Sequence, residues 1–328
     1  MRLFRNKYFE IRSGWALSFG LLLANVLALP STLIFLLVIS PHYESLVPKP
    51  ANYAIIEAGF YILQQGLIVV GSILAFYICT KRSAHEMGYN ALNFKSGMIK
   101  GFLTGSATVF SILFLLVIAA QVSVMSIRMS ALLSTAFWID TVLCVAVSVG
   151  EETLARGFMM SVLKVTRKPV AMIMIPAILF AALHFANPGF GLIGFLNLFL
   201  LGILFSLLFL RSGSLWSPIA AHFAWNWVQG SILGLNVSGI NKANSLIELS
   251  FTGTETLLTG GEFGIEGSPL LSVALIVAVV LSVLIIKTPK VTGWTLNSGL
   301  PFSRYGIGEE ITQKKDTGYV ISDKLNIR

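Results

Sequence analysis

The chain predicts an all-α, polytopic bundle of membrane helices, and three observations carry that reading. Of its 328 residues, 55% are hydrophobic and only 12% are charged, and its mean hydropathy is +0.81. Such a composition belongs to polytopic membrane proteins. Eight apolar stretches approach or exceed the length that crosses about 30 Å of hydrocarbon. Lysine and arginine, finally, gather at alternate ends of those stretches. Arg2, Arg5, Lys7 and Arg12 precede the first, Lys81, Arg82, Lys95 and Lys100 follow the second, Lys164, Arg167 and Lys168 the fourth, Arg211 the sixth, and Lys287 and Lys290 the last. Lys49, Arg128 and Lys242 stand on the other side. This positive-inside pattern expects both termini in the cytoplasm. It also explains the net charge of +8 without a nucleic-acid partner.

In chain order, the first stretch, Trp15–Ile39, is long and lacks a small-residue cleavage site. It reads as a retained helix, not a cleaved signal peptide. Ala54–Cys79 and Phe102–Ala120 follow. The fourth, Phe137–Val165, extends back towards Ala131, too long for one upright helix, so it is expected to tilt or break near Gly150. Then come Val170–Phe185, Phe190–Leu210, Leu215–Leu233 and Leu270–Ile286. Residues 234–268 form a polar, Gly-rich outer loop with Glu248, Glu255, Glu262 and Glu266. No Lys-Ser/Thr follows its glycines and no strand is read before them, so a flexible or re-entrant loop is expected in place of a phosphate loop. Residues 288–328 read as a disordered cytoplasmic tail. The expectation is one membrane domain over 1–328, with a core over 135–235. Cys79 and Cys144 fall within spans and suggest neither a disulfide framework nor a zinc cluster.

Ionisable side chains at bilayer depth cost at least about 2.5–3.5 kcal/mol each, which makes them candidate functional residues. Here they concentrate in three motifs: Glu151-Glu152-Thr-Leu-Ala-Arg156, Phe180-Ala-Ala-Leu-His184 and His222-Phe-Ala-Trp-Asn226. The remaining histidines, His42 and His85, lie in polar loops. Glu152 and Arg156 are spaced i, i+4 with the acid first, the favourable order for a helical ion pair. Pairing lets both stay charged in a low-dielectric setting. Glu151 points about 100° away around the helix, and a desolvated carboxylate without a partner suits a general base near neutrality. A structural or transport role fits the same motif. His184 shares a face with Phe180 and is open to a packing role. His222 and Asn226 aim an imidazole and an amide at one point, as an oxyanion site needs and as an interhelical polar clamp also does. Phe180, Trp225 and Trp227 read most simply as packing or interfacial aromatics.

Depth favours catalysis. At 1.5 Å per residue, Glu151 and His184 each lie roughly 21 Å from the cytoplasmic ends of their spans, Asn226 roughly 16 Å and His222 roughly 10 Å. Unrelated structural polar groups have no reason to coincide in this way.

The ordered set Glu-Glu-x-x-x-Arg, Phe-x-x-x-His and His-x-x-x-Asn resembles the CPBP family of intramembrane proteases, which includes CAAX prenyl endopeptidases and Abi bacteriocin-immunity proteins. The resemblance covers roughly 135–235. Ala155 stands where an aromatic is often found before the arginine, a departure that touches local packing. The resemblance implies a glutamic endopeptidase in which Glu151 activates water, His184 orients it, and His222 and Asn226 stabilise the oxyanion. Glu152, Arg156 and Phe180 would support them, with no cofactor.

The resulting expectation is a multi-pass plasma-membrane endopeptidase, bacterial, acting on a membrane-associated protein or peptide. A serine mechanism is disfavoured because no GxSxG-like serine accompanies the histidines. Three alternatives stay open: a zinc hydrolase using the histidines and glutamate, a non-enzymatic immunity or scaffold protein, and an ion-coupled transporter. The last lacks the repeats and paired broken helices of its class.

Overall fold

The computed structural model describes residue 4 and residues 11–44, 53–89, 94–166, 168–241, 245–252, 257–285, 311–312 and 320–321. It is mostly helical. Helix α1, Ser13–Ile34, continues through a π-turn, Phe35–Ile39, into Ser40–Glu44. Helices α2 (Tyr53–Thr80), α3 (Phe94–Ile118) and α4 (Thr135–Glu152) follow. The Ser134 hydroxyl caps α4 by accepting from Phe137 N–H. Then come α5 (Pro169–Ala182), α6 (Leu192–Ser212), α7 (Trp216–Asn226) and α8 (Pro269–Ile285).

Helices thus occupy all eight places where the sequence has apolar stretches. Four of them, Ser13–His42, Tyr53–Thr80, Phe94–Ile118 and Leu192–Ser212, are long and apolar enough to cross a membrane. α5 and α8 are apolar but shorter, and α4 and α7 carry the polar motifs. The expected break near Gly150 is instead a widening. The helix continues through a π-segment, Thr153–Met159, into Met160–Leu163. A second π-segment, Trp227–Ile232, follows α7 directly. Helix α5 stops at Ala182, short of the expected Phe185, because the chain turns into Asn187-Pro188-Gly189. A proline disfavours helical backbone in the residue before it, and Gly189 adopts φ 70°.

The Gly-rich segment is more ordered than expected. Strand β2, Ile247–Phe251, pairs antiparallel with β1, Val122–Ile127, between α3 and α4, with an irregularity between Val124 and Ser126. Two 3-10 turns, Gly261–Phe263 and Ile265–Gly267, carry Phe263 and Ile265 into a core with Leu198, Leu201 and Trp225. The apolar residues among its glycines fold the loop inward. A Cβ on Gly189 would lie 2.6 Å from Phe263 N, so the loop presses against the turn after α5. The tail expected over 288–328 lies outside the described residues, apart from the paired segments Ile311–Thr312 and Val320–Ile321.

Between helices, small residues set the approach. The most extensive pairing joins α3 to α7, along Gly97, Gly101 and Gly105. A Cβ on Gly101 would meet Ser217 O at 2.1 Å, and one on Gly105 would meet Ala221 O at 2.2 Å. Against lipid, burial of apolar surface adds little between helices, so such close packing is what holds them. The same device joins α2 to α1, where Gly71 abuts Ala24 Cα.

Gly101→Val should push α3 away from α7 and lower the melting temperature in detergent, by the roughly 1–3 kcal/mol typical of overpacking. Gly66→Ala is the control, since a Cβ there meets nothing within 4 Å. It should leave stability unchanged or raised by up to about 1 kcal/mol.

Candidate active site

Helix α4 delivers Glu151 and Glu152 at the point where the backbone widens, and π-segments are frequent at functional sites. Glu152 and Arg156 are both fully buried, with Arg156 Nη1 donating to Glu152 Oε1 at 2.8 Å. The other guanidinium nitrogen, Nη2, donates to Gly202 O on α6 at 2.9 Å. The guanidinium carbon lies 4.9 Å from the centre of the Phe180 ring and 5.5 Å from that of Phe205. Aromatic faces attract a cation more strongly once water is excluded.

Glu152 has a second partner. His222 Nδ1 lies 2.9 Å from the same Oε1, and because a carboxylate only accepts, that nitrogen carries the proton. Phe205 stacks on the His222 ring at 5.4 Å, and Phe180 meets it edge-on at 5.9 Å. Held in this way, the imidazole presents Nε2 towards Glu151 Oε2, 3.9 Å away. Glu151 differs from its neighbour: its side chain is 25% exposed, and Oε2 has no hydrogen-bond partner among the described residues.

His184 lies beyond α5, in the turn, not inside a helix as expected. Its Nδ1 donates to Phe180 O at 2.9 Å, and Nε2 has no hydrogen-bond partner among the described residues. Asn226 is buried one turn after His222 on α7. Glu151, His184, His222 and Asn226 all line one cavity of about 390 Å³, with Phe180 in its wall. All four residues singled out in the sequence therefore meet. Glu152 and Arg156 stand behind them as a closed ionic cluster.

Other lining residues had escaped notice. Tyr61, Gln64 and Gln65 from α2 and Asn25 from α1 form a polar side, and the Gln64-Gln65 pair within an apolar helix was the available signal. Gln65 Oε1 is buried without a hydrogen-bond partner among the described residues. Val237, Ser238, Ile240 and Glu266 arrive from the Gly-rich loop. Nothing distinguished Glu266 from the loop's other glutamates, yet it is 1% exposed. Burial pushes its carboxyl above the usual range, and hydrogen bonds from Trp225 and Ser238 pull against that shift. Trp225 is fully buried and donates to Glu266, so it is not an interfacial aromatic. Trp227 donates to Thr141.

Among the described residues, no group of three or more His, Cys, Asp or Glu is arranged to hold a metal ion. One nitrogen of His222 is already engaged by Glu152.

Residues 133–228 match the family model for the type II CAAX prenyl endopeptidase Rce1-like proteins. This segment is similar to that family. The matched residues include α4, α5, α6 and α7, and so all three motifs, and the matching family is one of peptidases. No curated protein and no solved structure matches the chain. The apolar helices and the Rce1-like segment make the chain a membrane-embedded protein.

Glu152→Ala should strand Arg156 at zero exposure and release His222, a loss of about 3–5 kcal/mol for a broken buried pair. Glu152→Ala/Arg156→Met should recover part of that loss. Thermal melts of both singles and the double variant check this, and simply additive losses would mean the two residues are not coupled.

Proposed function

We propose that the chain is an intramembrane endopeptidase that hydrolyses a peptide bond in a membrane-associated protein or peptide with a glutamate-activated water. One observation carries the reading: inside the Rce1-like segment, Glu151, His184, His222 and Asn226 open on a single cavity. The polar side of that cavity supports a peptide ligand, because backbone amides entering an apolar site need hydrogen-bond partners.

Glu151, unpaired and partly exposed to the cavity, takes a proton from water as general base. His184 orients that water through Nε2, its other nitrogen being fixed by Phe180 O. As the carbonyl oxygen gains charge, Asn226 donates to it from its amide. His222 joins only when both its nitrogens carry protons, since Nδ1–H already points at Glu152. The proton on Glu151 then passes to the leaving amine, and no covalent intermediate forms. A bacterial plasma membrane with both termini cytoplasmic fits the flanking charges, and no prenyl group on the substrate is required by this chemistry.

The test compares N- and C-termini of membrane proteins between cells carrying the wild type and cells carrying Glu151→Gln. General-base catalysis contributes about 10²–10⁴-fold, so termini that depend on the wild-type chain should disappear in the variant while the protein stays inserted. More than about a tenth of wild-type cleavage in Glu151→Gln would exclude that residue as the base.

The zinc alternative separates on chelation. An amide such as Asn226 is a poor zinc ligand and a good oxyanion donor, so activity in solubilised membranes should survive prolonged EDTA or phenanthroline. Loss of activity on chelation, restored by one equivalent of zinc, would replace this mechanism with a zinc hydrolase.

A further inference from the structure

The three motifs share the cavity wall with residues of α1, α2, α4 and α6, and the Gly-rich loop adds a further side, beyond the end of the matched segment at residue 228. Its central group is Glu266. The carboxylate accepts three hydrogen bonds, all from neutral donors. Trp225 Nε1 donates to Oε1 at 2.8 Å, and Ser238 donates to Oε2 from N at 2.6 Å and from Oγ at 2.8 Å. The backbone beneath is fixed separately, since Asn197 Nδ2 on α6 donates to Glu266 O and Ser268 O, each at 2.8 Å.

Each oxygen leads to a different half of the site. Trp225 sits on α7 between His222 and Asn226, so the bond to Oε1 fixes the rotation of that helix face. Ser238 occupies the tip of the turn closed by Val237 and Ile240, with φ 48°, a conformation uncommon outside glycine. Its two bonds to Oε2 hold it there. Ser238 O then accepts from Asn187 Nδ2 at 3.0 Å, and Asn187 N–H donates to His184 O at 2.9 Å. The second oxygen thus reaches the turn that carries His184. A wall that only needed closing would take an apolar side chain at lower cost than a buried carboxylate.

We propose that Glu266 is a positioning residue that fixes the spacing between the His184 turn and the α7 face carrying His222 and Asn226. The inference rests on the peptidase reading for its consequence in catalysis, and on geometry alone for the clamp itself. Glu266→Gln turns an NH2 group towards donors that already point at it, so either Trp225 or Ser238 loses its acceptor.

The experiment uses the full chain with ¹⁵N-labelled histidine in micelles, where four histidines give a spectrum assignable by substitution. In Glu266→Gln the imidazole signals of His184 and His222 should move, while those of His42 and His85 stay. In cells, termini that depend on Glu151 should fall about tenfold or more, as expected when catalytic groups are displaced by a fraction of an ångström to an ångström. Trp225→Phe removes one donor and should move the same signals less. Added to Glu266→Gln it should cost less than it does alone. Should Glu266→Gln not fold, Trp225→Phe decides alone. Asn197→Ala loosens the loop backbone without touching the carboxylate, so it should lower the melting temperature yet leave the signals and termini near wild type. Unmoved histidine signals with wild-type termini in Glu266→Gln would overturn the proposal. So would an equal loss in Asn197→Ala. If even the wild type yields no Glu151-dependent termini, the peptidase reading fails, and the histidine shifts alone decide the clamp.

Discussion

A carboxylate at zero exposure in a membrane bundle has to be compensated from several sides at once, and Glu152 is compensated from two helices. Arg156 approaches along its own helix and His222 from α7, both on the same oxygen. Most of the site follows from that arrangement. Arg156 draws in Gly202 O and the rings of Phe180 and Phe205. His222 is left with one nitrogen, aimed at Glu151 and the cavity. Glu151 stays partly exposed, with Arg156 Nη1 and His222 Nδ1 both engaged by its neighbour. Two adjacent glutamates of identical chemistry thereby acquire opposite environments. A buried ion pair of this kind is weak evidence for stability. Its consequence here is orientation, fixing a ring between two aromatic faces with a defined proton position.

Fixed chemistry of this kind needs a frame with little freedom. Contacts between α3 and α7, and between α1 and α2, are made by glycine against backbone, which leaves few alternative packings. Where regularity is relaxed, it is relaxed beside the site: π-segments begin one residue after Glu152 and one residue after Asn226. The Gly-rich loop completes the frame. It folds Phe263 and Ile265 into the same core as Trp225, so the cavity has a wall on the side where the helical motifs end.

The helices and the motif residues were legible in the sequence because each leaves a local mark. Long apolar stretches mark the helices, and charges within them mark the site. The i, i+4 spacing of Glu152 and Arg156 foretold their ion pair, but the spacing of Phe180 and His184 pointed to one helix, which the turn at Asn187-Pro188-Gly189 prevents. What stayed hidden is non-local. No spacing reveals that His222 shares an oxygen with Arg156, because the partners are 70 residues apart. Glu266 looked like one of several loop glutamates, and only the fold brings Trp225 and Ser238 to it. Glycines made the outer loop look flexible, whereas its apolar residues anchor it.

The central claim is that Glu151 activates water and does not itself attack the peptide bond. A first turnover in H₂¹⁸O tests it most directly, using the purified chain with membranes from cells that carry Glu151→Gln and so retain uncleaved substrate. The account predicts ¹⁸O in the newly formed C-terminal carboxylates and none in the peptide that contains Glu151. Label appearing in Glu151, with ¹⁶O in the first products, would reveal a covalent anhydride and contradict it.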